Sequence, residues 1–201
     1  MDKNNSSFMG LNGRMAFFTE FLRHPLQVGS VIPSSRFLER RIVAAAGIAM
    51  ARTVVELGPG TGGTTRAMLR AMPGDGRLLS IELNPRLHRL QQHIEDERLI
   101  AHLGSACDLE EIIASYGLGA PDAVVSGIPF STMSAEAGTG VIEAVSSVLA
   151  PGGRFVAYQW SGRVGTLCEP RLGRGEAAME LRNIPPMRVY QWENRAGEPA
   201  L

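Results

Sequence analysis

The sequence predicts an α/β fold, with a seven-stranded, mostly parallel sheet and helices on both faces. Three observations predict it. A short apolar, β-branched run, Thr53 to Leu57, breaks into glycines and is followed at once by a helix-forming stretch, Thr64 to Ala71. Further short apolar runs alternate with helical segments as far as Gln159, the pattern of successive strand–helix–strand units. Pro185-Pro186 then separates two strand-like segments, roughly 176–184 and 187–193, which reads as a hairpin carrying the one reversed strand. A chain of 201 residues suits one such domain. Residues 53–201 form its core, preceded over 1–52 by N-terminal helices and a covering loop.

The elements follow in order. Phe8, Leu11, Met15, Phe18 and Leu22 recur at spacings of three and four, one helical stripe that Phe17 and Phe21 widen. A helix over 8–23 is expected, ended by His24-Pro25. Its aromatic side chains beside arginines suit a membrane interface as well as a lid on the core. Leu26 to Ser35 is a small-residue loop, and Phe37 to Met50 a second helix capped by Ser34 or Ser35. Beyond the glycine turn come a strand from Arg77 to Ile81 ending at Glu82, and a helix over Pro85–Glu97 with Leu87, Leu90, Gln91 and Ile94 inward. Leu99 to Leu103 is the third strand, Leu109 to Tyr116 a helix, and Asp122 to Ser126 the fourth strand. Ala135 to Ala150 is a helix, Phe155 to Gln159 the fifth strand, and Trp160 to Gly175 a loop rich in glycine, proline and basic residues.

Chemistry concentrates at the ends of the strands. In Glu56-Leu57-Gly58-Pro59-Gly60-Thr61-Gly62-Gly63 the glycines let a ligand approach the backbone, and the following helix start offers unpaired N–H groups. Glu82 lies 24 residues after Gly58, at the end of the second strand. An acid placed there can accept both hydroxyls of a ribose, and Leu83 beside it can cover an adenine face. The strand-four exit, Ser126-Gly127-Ile128-Pro129-Phe130, borders the same end of the sheet, where open parallel sheets bind ligands.

Composition excludes several classes. Basic and acidic residues are 20 each, so there is no global footprint for nucleic acid. Residues 1–52 nevertheless hold seven basic groups against three acidic ones, which points to an anionic partner at that end. Cys107 and Cys168 have no partners at metal-ligand spacing, so free thiols in a reducing compartment and no metal are expected. No apolar run approaches the ~20 residues of a membrane span. A cytoplasmic chain, monomeric and at most peripherally bound to membrane, is the expectation.

The form E-x-G-x-G-x-G from Glu56 to Gly62 resembles motif I of the class I methyltransferases, and Leu149-Ala150-Pro151-Gly152-Gly153 resembles their turn into strand five. The resemblance implies a Rossmann-like fold and S-adenosylmethionine as cofactor, with S-adenosylhomocysteine as product. Glu56, Gly58, Gly60, Thr61, Gly62, Glu82 and Leu83 would then bind the cofactor. Ser105 and Ala106 would hold its adenine, or Asp108 would be its polar partner instead of capping Leu109 to Tyr116, and Ser126, with Ser30 and Val31 from the covering loop, would complete the site. Ser126 to Phe130 resembles the G-N-I-P-Y stretch of rRNA adenine dimethyltransferases. In those enzymes the Asn and adjacent backbone hold the target amine and the ring stacks on the base. Here Gly127 stands in place of the Asn, and Phe130 keeps the ring.

Longer stretches resemble the bacterial phospholipid N-methyltransferases, which convert phosphatidylethanolamine to phosphatidylcholine. They are Phe21-Leu22-Arg23, Val28 to Arg36, Ser126-Gly127-Ile128-Pro129, and Asn183 to Tyr190. That resemblance implies a lipid amine acceptor at an anionic membrane surface. The amine would be oriented near Ser126, Gly127, Ile128 and Phe130, its proton relayed by Tyr158 or His24, and the phosphate met by Arg23, Arg36 or Arg163. Alternatives are an rRNA adenine methylase, a small-molecule methyltransferase, and a non-enzymatic protein that binds the cofactor or membranes.

Overall fold

A computed structural model describes residues 34–194. The helix expected over 8–23, His24, Arg23, and Ser30 and Val31 of the covering loop lie outside the described residues. The strands are β1 (Thr53–Leu57), β2 (Arg77–Glu82), β3 (Leu99–Leu103), β4 (Ala123–Ser126), β5 (Arg154–Gln159), β6 (Glu176–Glu180) and β7 (Met187–Glu193). The helices are α1 (Arg36–Ala45), α2 (Gly63–Ala71), α3 (Pro85–Gln92), α4 (Leu109–Ser115), α5 (Ala135–Val148) and α6 (Arg163–Leu172). The seven strands form one sheet in the order β3-β2-β1-β4-β5-β7-β6. All pairs are parallel except those made by β7, which runs antiparallel to β5 and β6. Strand order reverses between β1 and β4, the crevice where such sheets hold ligands.

The central strands read as unbroken apolar runs because both of their faces are covered. Val54, Leu78, Val125 and Val156 meet Leu38 and Ile42 of α1 and Met68 and Leu69 of α2. Val55, Leu57, Leu79, Val124 and Phe155 meet α4, α5 and α6 through Ile112, Val141, Ile142, Val145 and Val164. Residues 34–52 share this core through Leu38, Ile42, Ala46 and Ile48.

Four elements differ from the sequence reading. The helix expected over 37–50 starts at Arg36, where the Ser35 hydroxyl accepts the Leu38 N–H at 3.2 Å. It breaks at Gly47, whose φ is +63°, into a short 3₁₀ turn over Ile48–Met50. α3 stops at Gln92, five residues early, and Leu90 points outward while Gln91 is the buried residue. α6 replaces the loop expected over 160–175. Val164 and Cys168, one helical turn apart, are both fully buried, and that burial outweighs Gly165 and Pro170. The strand expected over 176–184 ends at Glu180. Asn183 beyond it is buried, accepting the Ser35 N–H at 2.8 Å and donating to the Pro185 carbonyl at 2.8 Å. The connector between β6 and β7 is thereby tied to the start of α1.

Candidate active site

The turn leaving β1 is closed by hydrogen bonds from Gly58 N–H to the Ile81 carbonyl and from Gly62 N–H to the Pro59 carbonyl, both 3.0 Å. Gly60 has φ +58°, and a β-carbon there would meet no protein atom within 4 Å. Protein packing therefore does not demand glycine at this point. The left-handed backbone does, and so would a ligand lying against it. Thr61 is half-buried beside it, ahead of the start of α2.

Two acids stand beneath this turn. Glu82 is 5% exposed. Its Oε1 accepts the Asn84 N–H at 2.8 Å and its Oε2 the Gly60 N–H at 3.3 Å. Burial raises its pKa, and these N–H groups work against the rise. Each oxygen keeps a lone pair for a further donor. Glu56 is fully buried, and burial, with the nearby Glu82 adding, pushes its carboxyl up to about 8. Its Oε2 accepts the Thr65 hydroxyl at 2.6 Å, while Oε1 has no hydrogen-bond partner. The Thr65 hydroxyl also lies 3.2 Å from Gln91 Oε1, and Gln91 Nε2 donates to the Gly60 carbonyl at 2.9 Å. Gln91 thus couples the glycine turn to the acid. Sequence reading marked it only as an inward-facing residue.

The other expected contacts lie on neighbouring strand ends. Leu83, Ser105 and Ala106 are half-buried. The Ser105 hydroxyl accepts the Cys107 N–H at 3.2 Å, and Gly104 N–H bonds the Glu82 carbonyl at 3.0 Å, so the exits of β2 and β3 are joined.

The exit of β4 abuts that of β1. A β-carbon on Gly58 would lie 3.2 Å from Ile128 Cγ1, and Gly127 N–H donates to the Leu57 carbonyl at 2.8 Å. A β-carbon on Gly127 would lie 2.4 Å from the Tyr158 hydroxyl and 2.7 Å from the Gly58 carbonyl. No other residue type fits here. Tyr158 reaches this position from the end of β5, and burial, with Glu56 nearby, pushes its pKa above the ordinary tyrosine value. Its hydroxyl stays protonated at neutral pH, so it is no base there.

Three expectations for this exit change. Phe130 is fully buried in the core among the helices behind the sheet, so no face of its ring is open to a ligand. Ser126 is also fully buried, and its hydroxyl accepts the Ile128 N–H at 3.3 Å, stabilising the turn from within. The Ile128 carbonyl already accepts Gln159 Nε2 at 2.6 Å and the Phe130 N–H at 2.9 Å, so it is not free to orient an amine. Gln159, 31 residues further along the chain, was not singled out from sequence. A polar residue closing an apolar strand is the one signal that could have marked it. Among the described residues no group of three His, Cys, Asp or Glu side chains could hold a metal ion.

A doubly wound sheet with an open glycine turn at its switch point, an acid at the end of β2 and an unpartnered carboxyl oxygen beneath the turn defines a class I methyltransferase. The residues fit S-adenosylmethionine. Glu82 offers two acceptor oxygens for ribose hydroxyls, and Gly60 leaves open space. The chain is 33% identical over 141 residues to the ornithine lipid N-methyltransferase of Singulisphaera acidiphila, covering 69% of this chain and 73% of that protein. It belongs to the family of that enzyme, the S-adenosylmethionine-dependent N-methyltransferases of class I. No protein-family model matches the chain. In fold it is similar to the N-methyltransferase NodS of Bradyrhizobium japonicum in complex with S-adenosylhomocysteine, with 14% identity and a TM-score of 0.65 over 89% of this chain and 98% of that one. It is equally similar to a precorrin-6y C5,15-methyltransferase of Geobacter metallireducens, with 15% identity and a TM-score of 0.65 over 82% and 91% of the two chains.

Proposed function

We propose that the chain methylates the amine of a membrane lipid, taking phosphatidylethanolamine and its methylated forms to phosphatidylcholine. The observation that carries this reading is the strand-four exit. A base-methylating site needs an amide side chain at position 127 and a stacking ring at 130. Here Tyr158 excludes the first and the core has taken the second. A strand exit with neither group does not serve a flat base, and a small, flexible amine asks for neither. The relative's action on an ornithine lipid and the resemblance of residues 126–129 and 183–190 to phospholipid methyltransferases support a lipid as the bearer of that amine.

Bound S-adenosylmethionine supplies an electrophilic methyl group on sulfonium. Glu82 and the backbone around Gly58 and Gly60 hold that end of the site, and Gln91 keeps the turn in place. Gln159 fixes the Ile128 carbonyl and so the shape of the strand exit. Tyr158 presents a neutral donor to an oxygen of the acceptor. The main task is alignment, with reacting atoms ~3 Å apart. A primary ammonium has a pKa of about 10 and must lose a proton before attack. Activity should therefore rise with pH across the neutral range.

The relative's acceptor gives a second reading, the terminal amine of an ornithine lipid. Labelled cofactor offered with phosphatidylethanolamine, ornithine lipid or total RNA in parallel, the lipids in detergent micelles, separates the readings. Label in phosphatidylethanolamine is expected. Label in RNA and in neither lipid would overturn the proposal. Among the described residues no helix is long and apolar enough to cross a membrane. A peripheral position at the cytoplasmic membrane face is the location this reading requires.

A further inference from the structure

Several large apolar side chains are exposed at one edge of the molecule. Trp160 is 68% exposed, Leu181 72% and Ile184 81%. Register explains why they stand together. Gln159 on β5 pairs with Arg188 on β7, and Met187 on β7 pairs with Glu180 on β6. Trp160 and the 181–186 connector therefore leave the sheet at the same end, two strands or ~10 Å apart. That end is the carboxyl edge of the parallel strands, where Gly127 and the glycine turn open.

Arginines surround this edge. Arg182 lies in the connector, with its guanidinium 4.2 Å above the Phe37 ring, and Arg36 lies 5.0 Å from the same ring. Arg40 and Arg41 follow on α1, and Arg188 donates to the Trp160 carbonyl at 3.2 Å. Glu180 pairs with both Arg41 and Arg182. Hydrogen bonds from the Arg182 side chain and backbone, with Arg41 adding, hold its carboxyl down at about 2, so it remains an anion at any working pH. The acid on α1, Glu39, pairs instead with Arg70 on α2. Two arginines thus pair with Glu180, and Arg36, Arg40 and Arg188 stand near it, beside side chains that gain by leaving water.

We propose that this edge is a membrane-docking surface. Trp160, Leu181 and Ile184 enter the interface of an anionic phospholipid bilayer, and Arg36, Arg40, Arg182 and Arg188 meet its headgroups. The β4 exit at Gly127, at the same end of the sheet, would then face the bilayer, so that a lipid amine reaches it without leaving the membrane. This inference rests on the lipid reading, and its test is separable from that reading.

The chain has two tryptophans, and Trp192 is only 3% exposed. Trp160 is therefore the fluorophore that brominated lipid can reach. The full chain mixed with vesicles of equal phosphatidylglycerol and brominated phosphatidylcholine should show a blue shift and quenching, both lost in Trp160→Phe. Leu181→Asp with Ile184→Asp should lower vesicle partitioning at least about tenfold while the melting curve is kept. The same pair should lose lipid methylation on vesicles and retain it in detergent micelles. Unquenched Trp160 in vesicle-bound protein, or partitioning unchanged in the folded double variant, would overturn the surface. So would a dimer that the double variant dissociates, which would make this edge a self-interface. Wild type that methylates no lipid in micelles would sink the functional reading alone, because quenching still decides the surface.

Discussion

The two halves of the site are built differently. The cofactor half, from Glu56 to Gln91, is local: a strand end, a glycine turn, a helix start and the next strand end lie within 36 residues. The proposed acceptor half is assembled from a distance. Gly127 is shaped by Tyr158, and Ile128 is held by Gln159. Local motifs carry their own geometry through backbone conformation. A site made by packing two strand exits depends on which side chain arrives from the neighbouring strand.

The largest effect expected on this contrast comes from the cofactor half. Glu82→Ala removes two acceptor oxygens and leaves the Gly60 and Asn84 N–H groups without their partner. Hydrogen bonds to a charged group are worth roughly 1.5–3 kcal/mol each, so affinity for S-adenosylhomocysteine should fall by about two to four orders of magnitude. Calorimetry on the folded variant measures this, and unchanged affinity would defeat the assignment.

The proposed acceptor half should respond more in rate than in cofactor binding. Gly127→Ala places a β-carbon against the Tyr158 hydroxyl and 2.7 Å from the Gly58 carbonyl, so the ring or the strand exit must move. A displacement of that order should cost roughly a hundredfold in kcat/KM for the lipid, with a smaller loss of S-adenosylhomocysteine affinity through Gly58. Adding Tyr158→Phe removes the clashing oxygen and should recover part of the loss. A double variant no better than Gly127→Ala would show that the Gly58 carbonyl, not Tyr158, constrains position 127.

Glu56 sharpens the comparison through pH. Its folded pKa of about 8 stands above the ordinary 4.5, so the folded protein binds this proton more tightly than the unfolded chain does. Its contribution to stability is complete below pH 4.5 and is lost as pH rises through about 8. Glu56→Gln keeps the shape without the charge. Its melting temperature should gain on wild type as pH goes from about 5 to about 8, with the difference reaching at most a few kcal/mol. An offset constant over that range would mean the carboxyl is not held neutral.

The smallest effect is expected at Gln159. Gln159→Leu frees the Ile128 carbonyl but leaves its bond from the Phe130 N–H. A loss of several-fold in kcat is expected, with little change in melting temperature. Kinetics and a thermal scan on the same preparation test it.

Much of this was readable from the chain. The seven strands with one reversed, the glycine turn and Glu82 follow from apolar runs and from spacings set by one β-α-β unit, whose length the backbone dictates. The resemblances at Ser126 to Pro129 and Asn183 to Tyr190 were visible without their roles. Asn183 proves to tie the β6–β7 connector to α1, a contact across 148 residues. α6 was missed because Gly165 and Pro170 argue against helix locally, while the burial of Val164 and Cys168 argues for it only after α5 is in place. Phe130 was read as a ligand-stacking ring because type and position matched a motif. Which side of the strand exit a ring takes is decided by the cavity that receives it.

By itself the sequence determined the fold class, the glycine turn with an acid at the end of β2, and the lack of an amide side chain at position 127. Those features rest on backbone conformation and on short spacings, which neighbouring residues settle among themselves. The tertiary structure alone decided that Tyr158 occupies the space above Gly127, that Phe130 and Ser126 turn inward, and that Trp160, Leu181 and Ile184 share one arginine-rimmed edge. Each depends on strand register and helix docking between segments far apart in the chain, where close packing admits one arrangement and excludes its rivals.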